Sequence, residues 1–223
     1  MQFSGMFFDL DDTLVDDDIS TKAAVDQLYL HYTKALPEDR HSKWDEALNL
    51  YYPAFLRTEI TAPALQILRI RYVLDKPELP AAEALEAFEY FMQHYVECTA
   101  LFPETLAVLK ALKASGARLG VISNGPDDMQ QRKIKAIGLS DLFDVVVTAE
   151  RAGVGKPNRE IFELALSEMG LPANECCCVG DNLNNDAIGA QAAGLTGIFL
   201  DRSSTLTDHY DGLTIHTLKA LLD

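Results

Sequence analysis

From residue 117 onward the chain repeats one pattern, a short apolar run followed by an amphipathic stretch with helix start and stop signals. The runs are ARLGVIS from Ala117, DVVVT from Asp144, CCCVG from Cys176 and TGIFL from Thr196. Each is continuous rather than alternating, as expected of a strand covered on both faces in a parallel sheet. One helical pattern starts at Pro103 and stops before Gly116, with Leu106, Leu109 and Leu112 on one face. A second runs from Pro126 to Gly138, and a third, from Pro157 to Gly170, puts Ile161, Phe162, Ala165, Leu166 and Met169 on one stripe. Strand and helix in alternation predict an α/β fold whose core is a Rossmann-like, mostly parallel sheet.

A first strand, around Met6 to Asp9, is separated from the second by about a hundred residues that carry no strand pattern. Stretches near residues 19–36, 42–57, 61–75 and 80–97 are amphipathic and are broken by Pro37, Thr58 to Pro63, and Lys76 to Pro80. They predict four helices packed on one another. The expected organisation is an α/β core domain of residues 1–14 and 100–223, with an inserted all-helical domain, residues 15–99, acting as a lid or cap at the end of strand one.

The 223 residues, 48% hydrophobic, suffice for one sizeable domain carrying an insertion. The 34 acidic against 19 basic residues give a formal charge of −15, which argues against a surface built for nucleic acid or for an anionic membrane. A small soluble partner fits better. No apolar run approaches the roughly 18 residues of a transmembrane span, and MQFSGMFF lacks a basic region and a cleavage site. A cytoplasmic protein, monomer or homodimer, is expected. Neighbouring residues of a strand point to opposite faces, so Cys176, Cys177 and Cys178 cannot form a Cys-x-x-Cys metal knuckle and are expected as reduced thiols filling a buried strand.

Ligands of open α/β sheets bind beyond the carboxyl ends of the strands. Strand one ends in Asp9, Leu10, Asp11, Asp12 and Thr13; strand two in Ser123, Asn124 and Gly125; strand four in Gly180 and Asp181, with Asp186 five residues on. Gly-Lys-Pro at 155–157 opens the helix after strand three. Aspartates 9, 11, 12, 16, 17 and 18 crowd one short stretch. Like charges about 4 Å apart repel by roughly 4 kcal/mol at an effective dielectric of about 20, so such a cluster needs a cation or a proton. Asp9 and Asp181 in all-oxygen surroundings suit a hard cation such as Mg²⁺, and the whole reads as a metal-assisted phosphoryl-transfer site. One carboxylate can attack phosphorus while Ser123 and the backbone N–H groups after it hold phosphoryl oxygens. Lys156, the one cation the sequence assigns to this edge, stabilises the transition state. Asp11 is a candidate general acid and base.

The segments FFDLDDTL, VISNG, GKPNREIFELAL and VGDNLNNDAIGAQAAG together resemble, in order and in helix-strand context, the four motifs of the haloacid dehalogenase-like hydrolase superfamily. The resemblance spans the whole chain, with residues 15–99 where that family inserts its helical cap. It implies that Asp9 is the nucleophile of a phosphoaspartyl intermediate. It implies that Asp11 protonates the leaving group, then activates water, and offers its backbone carbonyl to the metal. Thr13, Ser123, Asn124 and Lys156 would bind phosphate, with Asp9, Asp11, Asp181 and Asp186 around Mg²⁺ and Asp186 supporting the metal shell or Lys156. Asn182 departs from the serine or threonine that many relatives carry after Gly-Asp. VISNGPDDMQQRKIKAIGL resembles the pyrimidine 5′-nucleotidase-like and N-acylneuraminate-9-phosphate phosphatase-like branches. The implied activity is hydrolysis of a small phosphate monoester, a sugar phosphate or nucleoside monophosphate.

Rival readings have specific costs. A haloacid dehalogenase uses the same nucleophile on carbon without metal, and in the family lacks an aspartate at the place of Asp11. A phosphorylated receiver carries its aspartate after the third strand rather than the first. A phosphomutase or phosphonate hydrolase stays open within the family. A calcium loop starting at Asp9 wants Gly at its sixth position and Glu at its twelfth, where this chain has Leu14 and Ser20. Asp16, Asp17 and Asp18 read as a solvated hinge into the insert. Of the insert's side chains, Lys22, His31, Trp44, Arg57, Arg69 and Arg71 are substrate-contact candidates, each with solvation or packing as the plainer role. GAQAAG, residues 189–194, reads as a small-residue helix face for close packing.

Overall fold

The computed structural model describes residues 3–204 and 210–222. In chain order the elements are β1 (Gly5–Phe8), β2 (Val15–Asp16), α1 (Asp17–Tyr32), α2 (Arg40–Leu56), α3 (Ala62–Val73), α4 (Ala81–Glu97) and β3 (Ala100–Leu101). There follow α5 (Thr105–Ala114), β4 (Arg118–Ser123), α6 (Asp127–Ala136), β5 (Val145–Thr148), α7 (Ala149–Ala152) and α8 (Arg159–Met169). Last come β6 (Cys176–Gly180), a π-helical segment at Leu183–Ile188, α9 (Gly189–Ala192), β7 (Thr196–Leu200) and β8 (Leu213–Ile215). The chain divides into two compact units, Met1–Asp17 with Thr99–Asp223, and Asp18–Cys98.

The first unit is built on a parallel sheet of six strands among the described residues, in the order β5-β4-β1-β6-β7-β8. Side-chain alternation splits its apolar residues between two buried layers. Met6 and Phe8 of β1, Leu119 and Val121 of β4, and Cys177 and Val179 of β6 face one layer. Phe7, Ile122, Cys176 and Cys178 face the other. The chain leaves β1 toward β4 and leaves β6 toward β7, on opposite sides, so the crevice between the ends of β1 and β6 is the topological switch point where ligands of such sheets bind.

Two strand features depart from the sequence reading. β8 extends the sheet beyond TGIFL, and its three residues are too few to register as an apolar run. β2 and β3 pair antiparallel, Asp16 opposite Ala100, so the two ends of the inserted segment are hydrogen-bonded to each other. Two-residue strands carry no readable periodicity.

The second unit is helical, with Ala24, Val25, Leu28, Trp44, Ile70, Val73, Ala87 and Phe91 in its buried core. Trp44 packs 4.0 Å from Phe91, centroid to centroid, and the Arg69 guanidinium lies 4.2 Å from its ring centre. The other candidates have local partners: Lys22 pairs with Asp18, Arg57 with Glu59, Arg71 Nε donates to the Leu79 carbonyl, and His31 packs on Tyr90. No helix among the described residues is long and apolar enough to cross a membrane.

Candidate active site

Strand ends deliver the acidic groups. Asp9 follows β1 and donates its backbone N–H to the Val179 carbonyl of β6 at 2.9 Å, which sets it beside the residues that follow β6. Asp181 is the first residue after β6, and Asp186 lies in the π-helical segment that follows. Gly180 makes room for this return, since a Cβ there would stand 2.2 Å from the Asp186 carboxyl carbon. One oxygen from each of Asp9, Asp181 and Asp186 lies within 4.8 Å of the others.

Lys156 is buried among them. Its ammonium donates to Asp9 Oδ1 at 2.6 Å, to Asp186 Oδ1 at 2.6 Å and to the Ile122 carbonyl at 2.8 Å. Burial works to lower its pKa, but the carboxylates of Asp9 and Asp186 outweigh this and hold the ammonium above the usual lysine range. Asp9 is pushed up to about 7, first by burial and further by the charge of Asp186, with Lys156 opposing. Burial and Asp186 raise Asp181 as well. One lysine therefore does not neutralise the cluster. Three hard oxygen donors with residual negative charge fit a divalent cation such as Mg²⁺.

The phosphate-side residues divide in two. Ser123 Oγ accepts from the Gly125 N–H at 3.1 Å and from Gln130 Nε2 at 2.8 Å, so both lone pairs are engaged and the hydroxyl hydrogen is left to donate. Asn124 differs from the expectation. Its Oδ1 accepts the Lys156 N–H at 2.7 Å and its Nδ2 donates to the Lys156 carbonyl at 3.0 Å, so the side chain clips the Lys156 loop to the end of β4. Thr13 differs too. It is fully buried, donates to Asp181 Oδ1 at 3.2 Å and accepts the Asp181 N–H at 3.0 Å, so its hydroxyl is tied to Asp181.

Asp11 corrects the statement that Lys156 is the one cation here. Lys133, fully buried on α6, donates to Asp11 Oδ1 at 2.6 Å, and Gln130 Nε2 donates to Asp11 Oδ2 at 2.7 Å. Lys133 also lies 3.4 Å from Asp17, which is thereby an ion-pair member rather than a purely solvated hinge residue. Asp12 is exposed, takes a left-handed φ of 57°, and accepts the Asp17 N–H on Oδ1 at 3.3 Å. Sequence reading missed Gln130 and Lys133 because QQRKIK looks like a solvated helix face. The only local signal is that they stand three residues apart, on one side of α6.

The resulting cavity, about 210 Å³, is lined by Asp9, Asp11, Ser123, Asn124, Gly125, Lys156, Asp181, Asn182, Asn185 and Asp186. A larger hollow of about 510 Å³ at the other ends of the strands, lined by Phe3, Met6, Leu112 and Arg118 among others, has no carboxylate in its lining. The carboxylates and Lys156 line the smaller one.

Residues 3–194 match the haloacid dehalogenase-like hydrolase family. The glyceraldehyde 3-phosphate phosphatase of Methanothermobacter thermautotrophicus is 36% identical over 210 residues, 90% of this chain and 86% of that protein. The pyrimidine 5′-nucleotidase YjjG of Escherichia coli is 30% identical over 90% of this chain and 87% of its own length. Among solved structures, the HAD-hydrolase YfnB of Bacillus subtilis, crystallised with magnesium, superposes with a TM-score of 0.80 at 21% identity, over 99% of this chain and 97% of that one. A 2-haloacid dehalogenase from Pseudomonas syringae pv. Tomato superposes at 0.67 with 28% identity, over 99% and 97%.

Proposed function

The chain belongs to the haloacid dehalogenase-like hydrolases, and from that premise and the site geometry we propose that it is a Mg²⁺-dependent phosphatase of small phosphate monoesters, sugar phosphates or nucleoside monophosphates. The observation that carries this reading is the meeting of Asp9, Asp181 and Asp186 around one buried lysine, with Asp11 held separately beside them. Asp9 attacks phosphorus and the bond to the leaving oxygen breaks, giving an aspartyl phosphate. Asp11 delivers the proton that the leaving oxygen takes. Water then attacks the aspartyl phosphate, Asp11 receives its proton, and inorganic phosphate and free Asp9 result. The Ser123 hydroxyl holds a phosphoryl oxygen, and the Lys156 ammonium, its three N–H groups engaged by Asp9, Asp186 and the Ile122 carbonyl, places positive charge beside Asp9. Asn124 fixes the Lys156 loop, and Thr13 orients Asp181. Mg²⁺, held by Asp9, Asp181, Asp186 and the Asp11 carbonyl, would supply positive charge against the phosphoryl oxygens.

Asp11 also weighs against dehalogenation, since the dehalogenases of this family lack an aspartate there. The core site reads little beyond a phosphoryl group, so residues 15–99 are assigned the role of a substrate-selecting cap. The test is phosphate release from a panel of phosphorylated sugars, nucleoside monophosphates and small acids, with Mg²⁺ or with excess chelator. Turnover of at least one class, silenced by chelation and restored by Mg²⁺, is expected. Full activity in chelator, or halide release from 2-haloacids in place of phosphate release, would overturn the reading.

A further inference from the structure

Asp11 is gripped at both carboxylate oxygens by one helix. Lys133 Nζ lies 2.6 Å from Oδ1 and Gln130 Nε2 lies 2.7 Å from Oδ2. Both side chains are fully buried, which fixes their rotamers by packing. The same Gln130 nitrogen lies 2.8 Å from Ser123 Oγ, so one amide ties Asp11 to the phosphate-side hydroxyl. Two further observations separate this arrangement from ordinary helix packing. Gln130 Oε1 is buried and has no hydrogen-bond partner among the described residues, a cost that a residue retained for stability alone would avoid. A Cβ at position 125 would stand 2.1 Å from Gln130 Nε2, so glycine in Ser-Asn-Gly is the residue that lets the amide reach its two acceptors.

We propose that Lys133 and Gln130 are positioning residues that aim the Asp11 carboxyl group for proton transfer. The inference rests on the phosphatase reading and deepens it. Each carboxylate oxygen has two acceptor sites, and one donor on each leaves one per oxygen for the reaction while fixing the plane of the group. In the first half-reaction the proton passes from Asp11 to the leaving oxygen as its bond to phosphorus breaks. In the second, Asp11 takes a proton from the water whose hydroxyl goes to phosphorus. A misaimed Asp11 therefore costs most when the leaving oxygen is too basic to depart unprotonated.

The test is a series of substituted phenyl phosphates, from phenyl to 4-nitrophenyl, assayed as kcat/KM on the wild type, Lys133→Met, Lys133→Arg and Gln130→Met, with thermal unfolding of each. Lys133→Met is expected to lose about 10- to 100-fold on phenyl phosphate and less than about threefold on 4-nitrophenyl phosphate. Lys133→Arg should recover most of the loss, and Gln130→Met should steepen the leaving-group dependence in the same sense. If Lys133→Met does not fold, the Gln130→Met slope decides alone. Parallel losses across the series, or none, would overturn the positioning role and leave the phosphatase reading standing. A wild type inactive on every ester would overturn that reading, and the inference with it.

Discussion

Asp9 and Asp11 are two residues apart, yet opposite environments hold them. Asp9 is buried against Lys156 and Asp186 and pushed up to about 7, whereas Asp11 is half-buried between Lys133 and Gln130. Asp9→Asn keeps the shape and one acceptor while removing the carboxylate proposed as the nucleophile. It is expected to lower turnover by about 10⁴-fold or more, read as phosphate release, with circular dichroism unchanged. Retention of a tenth of wild-type activity would exclude Asp9 as nucleophile. Asn124→Ala removes both hydrogen bonds to the Lys156 backbone. It should cost about 1–2 kcal/mol of stability, seen as a lower urea midpoint, together with a fall in kcat.

At the scale of elements, β6 shows how one strand can hold three cysteines without metal or disulfide. Cys177 faces one core layer and Cys176 and Cys178 the other, and all are buried free thiols. Burial raises Cys176 to about 11 and pushes Cys177 and Cys178 well above the ordinary thiol range, so their thiolates, the reactive forms, are suppressed. A disulfide-exchange reagent should label at most Cys98 in the folded protein and all four thiols after unfolding. A second element-level tie joins α5 to the loop after β7. Arg202 donates to Glu104 at 2.6 Å and to the Thr13 carbonyl at 2.8 Å, over the Phe102 ring. Burial pushes Glu104 up, but the Arg202 guanidinium together with the backbone N–H groups of Glu104 and Leu218 offsets it and holds the carboxyl below the usual glutamate range. A carboxylate with a lowered folded pKa stabilises the fold above its ordinary pKa, near 4.3, and this is lost as pH falls through the folded value. Glu104→Gln should therefore cost about 1–2 kcal/mol in urea unfolding at pH 7, with the gap to wild type closing below about pH 4. A gap independent of pH would contradict the ion pair.

For the whole molecule, the division of labour between the two units is testable through their surfaces. Trp44 is a poor probe of specificity because it is a core residue of the helical unit, and its truncation is expected to cost about 3–5 kcal/mol. Arg57 and Arg71 are better. Alanine at both should change the ranking among phosphate esters more than it changes 4-nitrophenyl phosphate hydrolysis; a parallel fall on every ester would confine specificity to the core loops. The alternation of strands and helices, the helical insert and the acidic strand ends were legible in the sequence because each is a local property. Apolar runs bury, turn residues punctuate, and a carboxylate directly after a buried strand has little freedom to be elsewhere. Tertiary structure alone decided the partners. Lys133 and Gln130 lie 122 and 119 residues from Asp11, and Thr13 lies 168 from Asp181. Which face of α6 turns inward, and which strands are neighbours, follows from sheet order and packing. A polar residue that reads as solvated can thus be buried wherever a distant charge or hydroxyl completes its hydrogen bonds.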